Sequence, residues 1–203
     1  MKKFVYITVA VTVVLLAFYL LYKPEAKITN YPSSGTDIIA FGDSLVEGVG
    51  STEDGGFVRM LSQDLRITII NLGVSGDTTQ SALSRLGQIS KYKPKVVIVL
   101  LGGNDFLQKA PEEQIFKNLD QIVVAIHRTG AVILLVGVEG HILTSGHEKL
   151  FRELAERRGT AYVPDILDDI FGQDDFMSDN LHPNDRGYRI MADRIKPVLE
   201  KML

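Results

Sequence analysis

The chain has 203 residues, 45% of them hydrophobic, which is enough for one domain with a sizeable core. Lys and Arg total 22 against 25 for Asp and Glu, and the net charge of −3 gives no electrostatic footprint for nucleic acid or an anionic membrane surface. The absence of cysteine excludes disulfides, a thiol nucleophile, lipoprotein acylation and Cys-based zinc sites.

Phe4 to Tyr22 form a run of 19 residues without a charge, behind Met1-Lys2-Lys3. That length spans a bilayer as a helix. A signal peptide is the rival reading, but its apolar region would be shorter, and no small-x-small cleavage site follows, since Tyr19 to Ala26 reads Tyr-Leu-Leu-Tyr-Lys-Pro-Glu-Ala. The expectation is an uncleaved N-terminal transmembrane anchor over residues 1–22. Lys2, Lys3 and the terminal amine favour a cytoplasmic N-terminus, which puts the remainder outside the membrane, periplasmic or at the cell surface. Lys23 and Lys27 act against that orientation. A linker over 23–35, containing Pro-Ser-Ser-Gly, leads to one domain over 36–203.

In that domain apolar, β-rich runs alternate with helix-period stretches, the pattern of βαβ units around a parallel sheet in an α/β fold. Strands are predicted from Asp37 to Phe41, Ile67 to Leu72, Lys95 to Leu101, Ala131 to Val136 and Thr160 to Val163. Their continuous apolar character suits strands covered on both faces. Phe57, Leu61 and Leu65 mark one amphipathic helix, Ile115, Leu119, Ile122, Val123 and Ile126 a longer one, and Leu150, Leu154 and Ala155 another. Asp77-x-x-Gln80 resembles a capping box that opens a further helix. A last helix begins after His182 and runs toward Leu203, with Pro183 in its first turn and Pro197 bending or interrupting it near the end.

Chemistry concentrates where strands end. Ser44 follows the first strand in Gly42-Asp43-Ser44-Leu45, Gly76 follows the second, and Asn104 the third in Gly103-Asn104-Asp105. All three therefore fall at one edge of the sheet, where ligands bind in open parallel sheets. A serine nucleophile needs a base, an orienting carboxylate and fixed donors for the oxyanion. His182 and Asp179, three apart in an irregular stretch, can supply the first two, while the Ser44 and Gly76 amides and the Asn104 side chain can supply the third. Each piece alone has a plainer explanation: a helix N-cap for Ser44, an acidic surface turn for Asp179-x-x-His182, turn residues for Gly76 and Asn104. His127 falls within a helix, and His141 and His147 lack a carboxylate at the same spacing. The serine motif is neither a Gly-x-Ser-x-Gly elbow nor a phosphate loop.

Gly42-Asp43-Ser44-Leu45, Gly76 in Ser75-Gly76-Asp77, Gly103-Asn104-Asp105 and Asp179-x-x-His182-Pro183-Asn184 together resemble the four blocks of the SGNH, or GDSL, esterase and lipase family, in the right order over nearly all of residues 36 to 200. The resemblance implies a three-layer α/β/α sandwich, flavodoxin-like, with a five-stranded parallel sheet of order 2-1-3-4-5. It implies Ser44 as nucleophile, His182 as acid/base, Asp179 as its orienter, and Ser44, Gly76 and Asn104 as the oxyanion hole, with no metal and no organic cofactor. Gly-Asp-Ser-Leu-x-x-Gly and Ser-Gly-Asp-Thr look most like the bacterial arylesterase, acyl thioesterase and lysophospholipase branch. The expected activity is hydrolysis of carboxylic ester or thioester bonds of lipid-type substrates through an acyl-enzyme. A carbohydrate O-acetyl esterase of envelope glycans and a non-catalytic lipid- or glycan-binding module are the alternatives. The expected partners are a small-molecule or lipid ester and, through the N-terminal helix, the membrane. Leu45, Val46, Val49, Phe106, Leu107, Ile142, Leu143, Phe176 and Met177 are candidates to line the acyl or aromatic pocket.

Overall fold

The computed structural model describes residues 27–53, 55–139 and 146–203. The predicted transmembrane run over 4–22 lies outside them, and no helix among the described residues is long and apolar enough to cross a membrane.

Five parallel strands form one sheet: β1 (Asp37–Gly42), β2 (Ile69–Gly73), β3 (Pro94–Leu100), β4 (Val132–Val136) and β5 (Ala161–Val163). Their order is β2-β1-β3-β4-β5, as the family resemblance implied. The strands are as apolar as a doubly covered sheet requires: β4 is buried at every position, as are Val96 through Leu100 of β3.

Among the described residues eight helical segments connect and cover the strands. They are α1 (Ser44–Glu47), α2 (Gly56–Leu65), α3 (Thr79–Ser84), a 3-10 helix over Leu86–Lys91, α4 (Gly103–Leu107), α5 (Glu112–His127), α6 (His147–Arg158) and α7 (Asp185–Glu200). Right-handed crossovers decide which face each one takes. The step from β1 to β2 runs one way across the sheet and every later step runs the other way, so α2 covers one face while α3, α5 and α6 cover the opposite one. The helix α7 returns to pack beside α2. The result is the three-layer α/β/α sandwich.

Three local readings need correction. The capping box that opens α3 is Thr78 with Ser81, not Asp77 with Gln80; the Thr78 side chain accepts from the Ser81 amide, and Ser81 accepts from the Thr78 amide. Asp77 is drawn away by Arg85, with which it forms a buried ion pair. Pro183 lies outside α7, which Asn184 caps through bonds from the Arg186 and Gly187 amides. Pro197 does not interrupt α7, which continues to Glu200. It removes a single backbone donor near the helix end. Ile195 and Leu199, both fully buried, hold the turn on either side.

Where β1 hands over to the serine, the backbone has no room for a side chain. A Cβ on Gly42 would lie 2.2 Å from the Leu100 carbonyl oxygen and 2.5 Å from Val46 Cγ2. Gly42→Ala is therefore expected to lower stability by about 1–3 kcal/mol through overpacking. A Cβ on Gly87 meets nothing within 4 Å, so Gly87→Ala serves as the control. Denaturant unfolding midpoints check this: Gly42→Ala shifts down, and Gly87→Ala stays close to the parent protein.

Candidate active site

The site is assembled on the carboxyl edge of the sheet. Asp43 follows β1 directly and caps α1, its Oδ1 accepting from the Leu45 amide at 3.0 Å. This sharp cap turns the chain so that Ser44 is the first helical residue, largely buried but facing a cleft. Being at a helix start, the Ser44 amide has no backbone acceptor among the described residues.

His182 arrives from a loop that its own backbone makes rigid. Asp179 Oδ1 accepts from the Leu181 amide at 2.7 Å and the His182 amide at 2.8 Å. The His182 carbonyl in turn accepts from the Ser178 amide at 2.8 Å and the Ser178 hydroxyl at 3.0 Å. The loop is then pressed against the segment after Ser44. Gly50, at φ +94°, sits so close that a Cβ there would be 2.2 Å from Ser178 Oγ and 3.1 Å from His182 Cβ. Buried Tyr188 on α7 donates to the Val49 carbonyl at 2.7 Å and locks the same contact from beneath. The outcome is a linear relay: His182 Nε2 lies 3.1 Å from Ser44 Oγ, and Nδ1 lies 2.9 Å from Asp179 Oδ2.

Asn104 occupies the first turn of α4, in the same cleft as Ser44 and His182. Its side-chain amide donates to the Asp77 carbonyl at 2.9 Å, which leaves the second N–H of that nitrogen for another acceptor. Gly76 stands in the adjoining loop at φ +79°. Its amide has no acceptor among the described residues, and Gly76 is not among the residues that line the cleft. The structure thus brings Ser44, Asp179 and His182 into direct hydrogen-bond contact, sets Asn104 in their cleft, and holds Gly76 one loop away.

Several residues that hold this arrangement carry no sequence signal of their own. Arg85 donates to the Leu72 carbonyl at 2.8 Å and the Gly42 carbonyl at 2.7 Å, pairs with Asp77, and lies over the Phe41 ring. Glu47 accepts from the Ser75 amide at 2.7 Å, tying the Gly76 loop to α1. Asp105 accepts from the Thr79 amide at 2.8 Å and the Thr79 hydroxyl at 2.6 Å, which joins α4 to α3. An Asp77 to Arg85 spacing of eight, or an Asp105 to Thr79 spacing of twenty-six, matches no local motif.

Among the described residues the cleft is lined, besides these groups, by apolar side chains and the Glu139 carboxylate. Leu45 and Leu107 line it as expected, joined by Val138, Leu167, Phe171 and Leu181. Val46 is instead fully buried in the core, and Phe106 packs on the His147 ring. Val49, Phe176 and Met177 are not lining residues, and Ile142 and Leu143 lie outside the described residues. Leu167 and Phe171 come from the irregular segment after β5, where no periodicity marks an inward face. Among the described residues no cluster of three or more His, Cys, Asp or Glu is placed to hold a metal ion.

Asp179 and Asp43 are pushed in opposite directions. The His182 side-chain hydrogen bond, with the Leu181 amide, lowers Asp179 to about 2, so it stays ionised beside the imidazole through all ordinary pH. Burial raises Asp43 to about 7, with the Asp77 charge adding to the effect and the Leu45 amide opposing it. A carboxyl whose folded pKa is raised favours the folded state most below its unfolded pKa of 3.8, and loses that contribution as pH rises toward about 7. Asp43→Asn keeps an acceptor for the Leu45 amide but cannot ionise. The expected difference is that stability of the parent falls from pH 5 to pH 8 relative to Asp43→Asn, read as the gap between their unfolding midpoints.

A sequence model of the GDSL-like lipase/acylhydrolase family matches residues 40–190. Esterase TesA of Pseudomonas aeruginosa is 27% identical over 178 residues, covering 82% of this chain and 89% of that protein. Thioesterase 1/protease 1/lysophospholipase L1 of Escherichia coli K12 is 24% identical over 185 residues, covering 87% and 89% respectively. The crystal structure of TesA superposes with a TM-score of 0.76 at 27% identity, over 83% of this chain and all of that one. AlinE4, an SGNH-hydrolase family esterase, gives a TM-score of 0.63 at 32% identity, over 84% of this chain and 99% of that one. With its family match extending from β1 into α7 and its fold shared with these esterases, the chain belongs to the GDSL-like lipase/acylhydrolase family of ester hydrolases.

Proposed function

We propose that Ser44 is the nucleophile of this ester hydrolase, that His182 is its general base and acid, and that Asp179 orients and stabilises the imidazolium. The observation that carries the assignment is the relay of 3.1 Å from Ser44 Oγ to His182 Nε2 and 2.9 Å from His182 Nδ1 to Asp179 Oδ2. His182 takes the hydroxyl proton as Ser44 attacks the carbonyl, then returns it to the leaving group. Water, activated by the same imidazole, releases the acid from the acyl-enzyme. The oxyanion is received by the Ser44 amide, the Gly76 amide and the Asn104 side chain. Support for this comes from two amides without acceptors among the described residues and from the remaining N–H of Asn104.

Apart from Glu139, whose carboxylate is engaged by the Gly146 and Glu148 amides, the wall is the apolar set Leu45, Leu107, Val138, Leu167, Phe171 and Leu181, which favours an acyl chain over a sugar that needs polar groups to replace its hydration. Lipid-type carboxylic esters or thioesters are therefore the proposed substrates, ahead of acetylated glycans. The relatives named as a thioesterase, a lysophospholipase and an esterase support that class. The proposed location is the outer side of a membrane, anchored through the apolar run over 4–22.

Hydrolysis of p-nitrophenyl esters from acetate to palmitate tests both levels. Ser44→Ala should abolish turnover, and Asn104→Ala should lower kcat by about 100- to 1,000-fold with the fold intact. An optimum beyond acetate is expected from the apolar wall. A folded parent protein that hydrolyses none of these esters, or an Asn104→Ala variant with near-normal kcat, would contradict the assignment.

A further inference from the structure

The chain enters the catalytic domain at the end of the sheet farthest from the cleft. Residues 27–36 do not hang free before β1; they are strapped across the amino edge of the sheet. The Thr29 amide donates to the Gly159 carbonyl at 2.8 Å, two residues before β5 begins. The Asn30 side chain donates to the His127 carbonyl at 2.8 Å and the Ala131 carbonyl at 3.0 Å, just ahead of β4. Ser33 donates to the Gly130 carbonyl at 2.8 Å, and the Thr36 amide to the Lys93 carbonyl at 2.8 Å, just ahead of β3. Gly159, at φ +63°, lets the strap approach so closely that a Cβ there would be 2.9 Å from the Lys27 carbonyl oxygen.

All five strands are parallel, so the amino edge is one end of the domain and Ser44, Asn104 and the cleft are at the other. The seven residues of β3, at about 3.3 Å each, separate the two edges by about 23 Å. Between Tyr22 and Lys27 stand only Lys23, Pro24, Glu25 and Ala26, and the five residue steps from Tyr22 to Lys27 span at most about 18 Å when extended. That leash is shorter than the domain is deep.

We propose that the domain stands on its strapped edge, with the cleft directed away from the bilayer that carries it, and that its lipid-type ester substrate arrives dispersed in water rather than as an acyl chain embedded in that same bilayer. This rests on the reading of Ser44 as nucleophile and of residues 4–22 as the anchor. The leash keeps the enzyme at the membrane while the cleft samples the aqueous side. Leu107 and Leu181, exposed at the cleft mouth, then meet the apolar part of a dissolved ester.

The test uses the full chain reconstituted into phosphatidylcholine vesicles. Because the sequence has no cysteine, a fluorophore can be attached at one position only. Lys93→Cys places it at the strapped edge, and Gln108→Cys places it beyond α4 near the cleft; both side chains are exposed and neither belongs to the relay. With a quencher on the lipid headgroups, the label at 93 should be quenched at least threefold more than the label at 108. Hydrolysis of dissolved p-nitrophenyl butyrate should change less than twofold on reconstitution, and a long-chain ester confined to the same vesicles should turn over at least tenfold more slowly than when dispersed in detergent. Equal quenching, stronger quenching at 108, efficient hydrolysis of the confined ester, or failure of the protein to float with vesicles would each overturn the proposal. Quenching does not depend on turnover, so an inactive protein with the expected quenching would sink the catalytic reading and leave the orientation standing.

Discussion

The direction of the strands is the constraint from which the site follows. In a sheet whose five strands all run the same way, every loop that leaves a strand emerges on one edge. Ser44 after β1, Gly76 after β2 and Asn104 after β3 therefore reach the same edge although they are far apart in sequence. Arg85 then fixes their separation. Its guanidinium is bonded to carbonyls near the ends of both β1 and β2 and paired with Asp77, whose own carbonyl receives the Asn104 side chain. A planar group with five fixed donors is suited to that task, because one side chain can satisfy two strand ends and a carboxylate together. The buried charge is matched by Asp77 and by carbonyl dipoles, which meets the condition for keeping an ion inside a protein.

His182 depends on a different kind of order. It lies beyond the last strand, so the sheet does not position it. The hydrogen bonds of the Asp179 carboxylate to the Leu181 and His182 amides, and of Ser178 to the His182 carbonyl, shape the loop before it meets Ser44. Asp179 thus has two tasks, folding the loop and orienting the imidazole. Its removal would disturb both, so an Asp179 variant alone cannot separate electrostatic help from loop geometry.

The strands are legible because a doubly covered sheet leaves a run of consecutive apolar residues, and the helices α2, α5 and α6 because their apolar residues recur at helical spacing. Ser44, Asp179, His182 and Asn104 were legible because their motifs stand at strand ends and in one loop. What escaped depends on distance in sequence. The Thr78 cap could be mistaken for Asp77 because both are good capping residues, and only the buried Arg85 decides between them. Leu167 and Phe171 lie in an irregular segment, so no period reveals that they face the cleft. Pro197 reads as a helix breaker until the burial of Ile195 and Leu199 is known. The strap over 27–36 reads as a polar linker, since the carbonyls that hold Asn30 and Ser33 come from loops about a hundred residues away.

If the His182–Asp179 relay makes Ser44 nucleophilic, covalent trapping with a fluorophosphonate, followed by intact mass and peptide mapping, reads it at the reacting atom. A single adduct on Ser44 is expected, formed in the parent protein and lost in His182→Ala. An adduct on another serine, or undiminished labelling of Ser44 without the imidazole, would contradict it.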